Sequence, residues 1–234
     1  MKNTQTRLMT ANLKGGKSPT GMHAGGRKAG LAPAATRMTW AIRRANAQNI
    51  SMIGGEEVSG VQVRRVIERH ELWLPVVATP NDEFPSGATI GNVLFLKRTE
   101  WELDEQAEID SVTRSAGTLH FVDAWVTHKP TRRQVRVVVA HFPAGKRTVP
   151  QRDRAACEAD IRVAIKGERC PVVLLADFNT PGAFRGWNGA RHKVDGALVR
   201  GLPASRPRVH YGFIGEISDV HAGVSTLVDL ARPW

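Results

Sequence analysis

The 234-residue chain holds little that would anchor it in a membrane or cross-link it. Its longest purely aliphatic run is Val172-Val173-Leu174-Leu175-Ala176, far short of the ~20 residues a membrane span needs. The first ten residues contain no apolar stretch followed by a small-residue cleavage site, so no secretory leader is expected there. Together these absences predict a soluble, cytoplasmic protein with no membrane partner. Cysteine is scarce: Cys157 and Cys170 are the two in the chain, and they do not have CxxC spacing. Both are expected to be reduced packing residues, which excludes a structural zinc site built on thiolates. Internal repeats, low-complexity tracts and a recognisable interdomain linker are missing as well. One domain over residues 1–234 is therefore expected, with a Gly-rich loop at 14–30.

Acid is the minority charge. Twenty-two Asp and Glu face thirty-three Lys and Arg, giving +11 at pH 7 and a pI near 10.5. Such an excess raises affinity for polyanions through counterion release. The basic residues are dispersed, as in Arg27-Lys28, Arg43-Arg44, Arg64-Arg65 and Arg132-Arg133, a pattern that a solvated basic surface also produces. Charge points to nucleic acid without establishing it.

Periodicity gives the elements. Residues 7–13 read as a short buried strand, and 14–30 as a long polar loop, which in a compact domain is more often functional than idle. Residues 34–49 carry Met38, Ile42 and Ala45 at helical spacing with arginines between them. A short strand at 50–54 and a helix at 58–70 follow. From 72 to 142 the pattern is of strands, at 74–78, 91–96, 120–127 and 134–141, separated by turns such as Pro80-Asn81-Asp82 and Lys129-Pro130-Thr131. Residues 150–165 form a helix with Pro150 in its first turn and Ala155, Ala159 and Val163 on one side. Strands at 171–176, 194–199, 209–214 and 224–230 complete the chain. Helices among many consecutive strands predict an α/β domain with mixed sheets.

Metal-competent and acid/base residues fall at the ends of several of these strands: Asn12, Glu56 and Glu57, His141, Asp177 and Asn179, then Asp195, Asp219 and His221. Buried strands deliver side chains accurately, so their ends are good places to converge a site. Phosphodiester cleavage needs a hard cation held by oxygen ligands and a base to activate water, for which His has the suitable pKa. It also needs a carboxylate to orient that His, and donors for the developing charge. Each requirement has candidates here. Each candidate also has a plainer reading: Glu57 flanking a helix start, His141 as a satisfied core histidine, Asp177 and Asn179 closing a turn, Asp195 at a strand start. The other six histidines read as surface or packing.

The ordered set Thr10-Ala11-Asn12, Gly55-Glu56-Glu57-Val58, Ala140-His141-Phe142, Ala176-Asp177-Phe178-Asn179, Val194-Asp195 and Ser218-Asp219-Val220-His221 resembles the endonuclease/exonuclease/phosphatase superfamily, the pancreatic-DNase-like fold. The resemblance runs from Arg7 to about Leu230. It implies an α/β fold of two mixed β-sheets packed as a sandwich with helices on the outside, four layers in all. It also implies a Mg²⁺-dependent phosphodiesterase, with Mn²⁺ as a substitute, most simply a nuclease with DNA or RNA as substrate. Carried over residue by residue, Glu57 would be the principal metal ligand, with Glu56 as its rival, Asn12 would help at the metal and phosphate, and Asp219 would sit near the metal. His221 would be the general base, oriented by Asp195. Asp177 and Asn179 would position the water and phosphate, and His141 would bond the scissile phosphate.

The chain departs from the family pattern in two places. Val220 separates Asp219 from His221, where the family has them adjacent. Lys14 stands where many family nucleases place a second acid, which weakens a two-metal scheme and offers a phosphate contact instead. Three alternatives stay open: a phosphatase of the same superfamily acting on another ester, such as a phosphoinositide; a non-catalytic nucleic-acid-binding protein; and a P-loop NTPase. The last rests on Ala11-Asn12-Leu13-Lys14-Gly15-Gly16-Lys17-Ser18, whose following Pro19, Gly21, Gly25 and Gly26 lack the helical periodicity such a loop must run into.

Overall fold

The computed structural model describes residues 4–13, 33–78, 89–114, 116–145, 148–211 and 223–231. Within them the order is β1 (Gln5–Asn12), α1 (Ala34–Ala47), β2 (Ile50–Ser59), α2 (Gly60–Arg69), β3 (Trp73–Val77), β4 (Thr89–Lys97), β5 (Trp101–Thr113), β6 (Gly117–His128) and β7 (Arg133–His141). There follow α3 (Thr148–Ala164), β8 (Val172–Asp177), β9 (Asn188–His192), β10 (Asp195–Arg200), β11 (Ala204–His210) and β12 (Gly223–Asp229). The strands form two six-stranded mixed sheets, ordered β11-β12-β1-β2-β4-β3 and β5-β6-β7-β8-β10-β9. The expected loop at 14–30 lies outside the described residues.

Three apolar layers hold four structural layers together. Leu8, Met52, Leu94, Val137, Leu175 and Val228 fill the space between the sheets. Met9, Ala11, Met38, Ile42, Val63 and Val66 pack α1 and α2 onto the first sheet, and Val138, Leu174, Cys157, Ile161 and Phe178 pack α3 onto the second. Consecutive residues thus serve opposite layers, Leu8 and Met9 in β1 or Leu174 and Leu175 in β8, because strand side chains alternate. Both faces being covered, β8 reads as an unbroken apolar run from Val172 to Ala176 rather than as an alternation.

Three sequence expectations change. First, β5 escaped notice: its sequence WELDEQAEIDSVT buries little, and it is an edge strand. Charged edges are how sheets avoid pairing with other chains, and that charge hides the strand from a hydrophobic-pattern search. The short edge strand β9 was missed for the same reason. Second, the helix expected from residue 58 starts at Gly60, because β2 runs on to Ser59. Third, the Ala155, Ala159 and Val163 face of α3 points outward, with Val163 71% exposed. The buried face is Asp153, Arg154, Cys157 and Ile161. Arg154 Nη1 donates to the carbonyls of Pro143 and Gly145 at 3.0 and 2.8 Å, and Asp153 accepts the Arg114 amide at 3.1 Å. Satisfying those backbone groups outweighs the cost of turning two charged residues inward.

Cys157 and Cys170 are free thiols. Burial pushes both upward in pKa, Cys170 to about 11 with help from Glu168, so neither offers a thiolate at neutral pH. Among the described residues no helix is long and apolar enough to cross a membrane.

The two sheets approach closely at Gly54. A Cβ on Gly54 of β2 would lie 2.4 Å from Leu175 Cβ of β8. Gly54→Ala is therefore expected to destabilise the fold by about 1–3 kcal/mol, the usual cost of overpacking a core. Urea unfolding reads it, and an unchanged midpoint would show that the sheets can part without loss.

Candidate active site

Each sheet contains one parallel pair at its centre, β1 with β2 and β7 with β8. Parallel neighbours end on the same side. Asn12, His141 and Asp177 are the last residues of β1, β7 and β8, and Glu57 lies near the end of β2. Across the sandwich, Asn12 Nδ2 donates to Glu57 Oε1 at 3.0 Å and to Asp177 Oδ2 at 3.2 Å. His141 Nε2 lies 3.5 Å from Asp177 Oδ2 and 3.9 Å from Glu57 Oε1. Two carboxylates from different sheets therefore share one amide and one imidazole.

A bulge separates the two adjacent glutamates. Gly55 pairs with Val93 and Val58 with Gly91, so β2 spends one residue more than β4 over this stretch. Glu57 takes a φ of 51°, a left-handed conformation costing about 1–2 kcal/mol for a residue with a side chain. Strain of this kind collects at functional sites. Glu57 keeps partial access to solvent, its side chain 23% exposed, and faces Asn12 and His141. Glu56 lies deeper and is wholly buried. Its Oε1 accepts from Thr10 Oγ1 at 2.6 Å, while among the described residues Oε2 has no hydrogen-bond partner. Burial, reinforced by Asp177 and Asp195, holds the Glu56 carboxyl well above the ordinary carboxylate range despite the Thr10 hydroxyl.

Asp177 serves two purposes. Its Oδ1 accepts the Asn179 amide at 3.0 Å, closing the turn, while Oδ2 faces Asn12 and His141. Asn179, at a φ of 49°, donates from Nδ2 to the Phe142 carbonyl at 2.8 Å. The Phe142 amide in turn bonds the Asp177 carbonyl at 2.9 Å. The exits of β7 and β8 are thereby tied together. Asp195 opens β10 directly opposite Asp177 in the ladder and is 4% exposed. Glu56, Glu57, Asp177 and Asp195 make an acidic floor in a chain of charge +11.

Asn12, Glu57, His141, Asp177, Asn179 and Asp195 thus share one end of the sandwich. Asp219, His221, Lys14 and the Gly15-to-Ser18 stretch lie outside the described residues. Two supporting residues carried no predicted role. Thr10 occupies Glu56, and Gln62 ties the start of α2 to the end of β1, donating from Nε2 to the Leu13 carbonyl at 3.2 Å and accepting the Ser59 amide at 3.0 Å. The Ser59-x-x-Gln62 spacing was the available signal, being that of a helix capping box. Among the described residues a tight His/carboxylate group also occurs at Glu108, Asp110 and His120. It includes none of the candidates, and its two carboxylates bond His120 Nδ1 at 2.6 and 2.8 Å.

No family model matches the chain, and no curated protein matches it in sequence. Solved structures match throughout its length. An endonuclease/exonuclease/phosphatase from Bacteroides vulgatus superposes with a TM-score of 0.75 at 15% identity, over 97% of this chain and 100% of that one. D. rerio TDP2 complexed with single-strand DNA product gives 0.70 at 12%, over 96% and 99%. A mannosyl-6-phosphatase from Bacteroides thetaiotaomicron gives 0.69 at 12%, over 95% and 99%. At these identities the likeness shows the fold.

Proposed function

We propose that this chain, whose fold is that of the endonuclease/exonuclease/phosphatase superfamily, is a metal-dependent phosphodiesterase that cleaves nucleic acid in the cytoplasm. The observation that carries the proposal is the meeting of Asn12, Glu57, His141 and Asp177 across two sheets, supported by a solved neighbour that holds a single-strand DNA product.

The donor set fits a hard divalent cation. It consists of carboxylate and carboxamide oxygens, and the carboxylates of Glu57 and Asp177 face one another across a single amide, a repulsion that a cation relieves. Glu57 would be the principal ligand, with Asn12 and Asp219 beside it. Bound there, Mg²⁺, or Mn²⁺ in its place, would neutralise the phosphate and act as a Lewis acid. The protein's own groups supply the rest. His141 is positioned to donate to a phosphate oxygen. The Asn179 carboxamide and Asp177 orient the attacking water and the ester. His221, steered by Asp195, accepts the proton of that water as it attacks in line.

Cleavage of supercoiled plasmid and of labelled single-stranded DNA and RNA tests this. Turnover is expected with Mg²⁺ or Mn²⁺ and none in EDTA. Intact nucleic acid in every lane, with hydrolysis of phosphoinositides instead, would replace the nuclease reading by a phosphatase of the same fold.

A further inference from the structure

Among the described residues, the apolar cluster beneath α1 and α2 draws on β1, β2, β3 and β4 and includes no side chain of β11 or β12. On those two strands the side chains gathered around Arg7 are polar and cationic. Arg7, 5% exposed, reaches from β1 under β12 and β11, donating from Nη1 to the Arg206 carbonyl at 3.0 Å and to Ser225 Oγ at 3.3 Å. His210 Nε2 meets the same Ser225 hydroxyl at 2.8 Å. Arg208 sits opposite Ser225 in the ladder and donates to Gln48 Oε1, at the end of α1, at 3.4 Å. Between them lies a cavity of about 350 Å³ lined by Arg44, Gln48, Arg208, Val209, His210 and Tyr211. Among the described residues that line it, none is acidic.

Two further features look built for a ligand. The β11 ladder shifts register between Ser205 and Arg208, and Arg206 there takes a φ of 49°. The strained bulge, held from beneath by Arg7, leaves Arg206 and Arg208 exposed. Tyr211 is 62% exposed, its ring edge-on to His192 at 5.4 Å. The charges acting on this spot share one sign: burial, then Arg7, Arg208 and Arg44, push His210 down to about 4. A folded chain stabilises such a cluster poorly by itself, whereas an anion stabilises it well.

The groove is also correctly placed. His210 pairs with Gly223, Val209 with Val224, and Val224 with Thr10, two residues before Asn12. Three strand spacings separate β11 from β2, which carries Glu57, about 14 Å. That corresponds to roughly four nucleotides at a rise of ~3.4 Å each.

We infer that the groove between α1 and β11 is a second station for a nucleic-acid strand, where Arg44 and Arg208 bind a backbone phosphate a few nucleotides from the ester at Glu57 and Tyr211 stacks on a base. The inference deepens the nuclease reading and rests on it for the position of the ester. Arginine forks suit phosphate geometry, and an exposed aromatic ring beside them is the sequence-tolerant platform that single strands use.

Binding and catalysis test it separately. A fluorescent single-stranded 12-mer is titrated in EDTA against wild type, Arg208→Glu and Tyr211→Ala. Arg132→Glu, at an exposed arginine in the turn just before β7, controls for net charge. Hydrolysis of bis(p-nitrophenyl) phosphate with Mg²⁺ or Mn²⁺, a diester too small to reach the groove, is followed in parallel. Arg208→Glu is expected to flatten the logarithmic salt dependence by about 0.7 for each phosphate it no longer neutralises. Tyr211→Ala is expected to weaken binding about 5- to 100-fold, and turnover of the small diester stays at the wild-type level in both. Oligonucleotide binding by both variants like that of Arg132→Glu overturns the station and leaves the catalytic reading intact. Loss of phosphoinositide-vesicle binding in Arg208→Glu, with oligonucleotide binding retained, overturns it in favour of a lipid. A wild type that hydrolyses neither diester nor oligonucleotide removes the nuclease reading, while the EDTA titration still decides the groove.

Discussion

Glu57→Ala is expected to lower phosphodiester turnover about 10²- to 10⁴-fold, while Glu56→Gln leaves it within a few-fold of wild type. The contrast comes from the β2 bulge, which leaves two adjacent carboxylates at different depths, Glu57 partly open to solvent and Glu56 beneath it. Glu57 shares the Asn12 amide with Asp177 and stands at the surface, where a ligand contributes several kcal/mol of charge stabilisation. Glu56 is sealed inside against Thr10. A glutamine there keeps the acceptor that Thr10 needs and adds no charge to a place that already disfavours one. Turnover at saturating metal, with thermal midpoints for both variants, measures the difference. The reverse pattern would hand the metal to Glu56. Near-wild-type turnover in Glu57→Ala would remove its assignment altogether.

That choice between neighbouring glutamates marks the boundary of what the sequence makes legible. The apolar strands β1, β7 and β8 announce themselves because both faces are buried, and their last residues Asn12, His141 and Asp177 could be named as site candidates from strand ends alone. The depth of Glu56 and of Glu57 could not. It depends on one extra residue in β2 relative to β4, and a bulge is a property of the pair of strands rather than of either sequence. The same limit explains β5, whose charged edge carries no hydrophobic period. It also explains α3, whose buried Asp153 and Arg154 serve backbone groups outside the helix, at Arg114, Pro143 and Gly145. Local pattern reports which residues avoid water; it does not report which polar residues have partners waiting inside. The groove at Arg208 was hidden in a similar way, its arginines scattered from Arg7 to Arg208 and gathered only by the ladder that places β11 beside β12.

His221→Ala and Asp195→Asn should each lower turnover by about 10²- to 10⁴-fold, and the double variant should fall no further than the worse single one. General-base catalysis contributes on that scale, and groups acting as one unit lose their effect once, not twice. Asp195 is suited to the orienting role because it cannot drift: it opens β10, pairs with Asp177 on one side and His192 on the other, and is 4% exposed. A fixed carboxylate beside an imidazole stabilises the protonated ring and so raises its pKa. Removing that charge with Asn should therefore move the acidic limb of the pH–rate profile to lower pH, a displacement that a purely structural loss would not produce. Additive losses in the double variant would separate the two residues, leaving His221 as a base without this partner. An unshifted profile in Asp195→Asn would return Asp195 to the fold, as a carboxylate that closes the start of a strand.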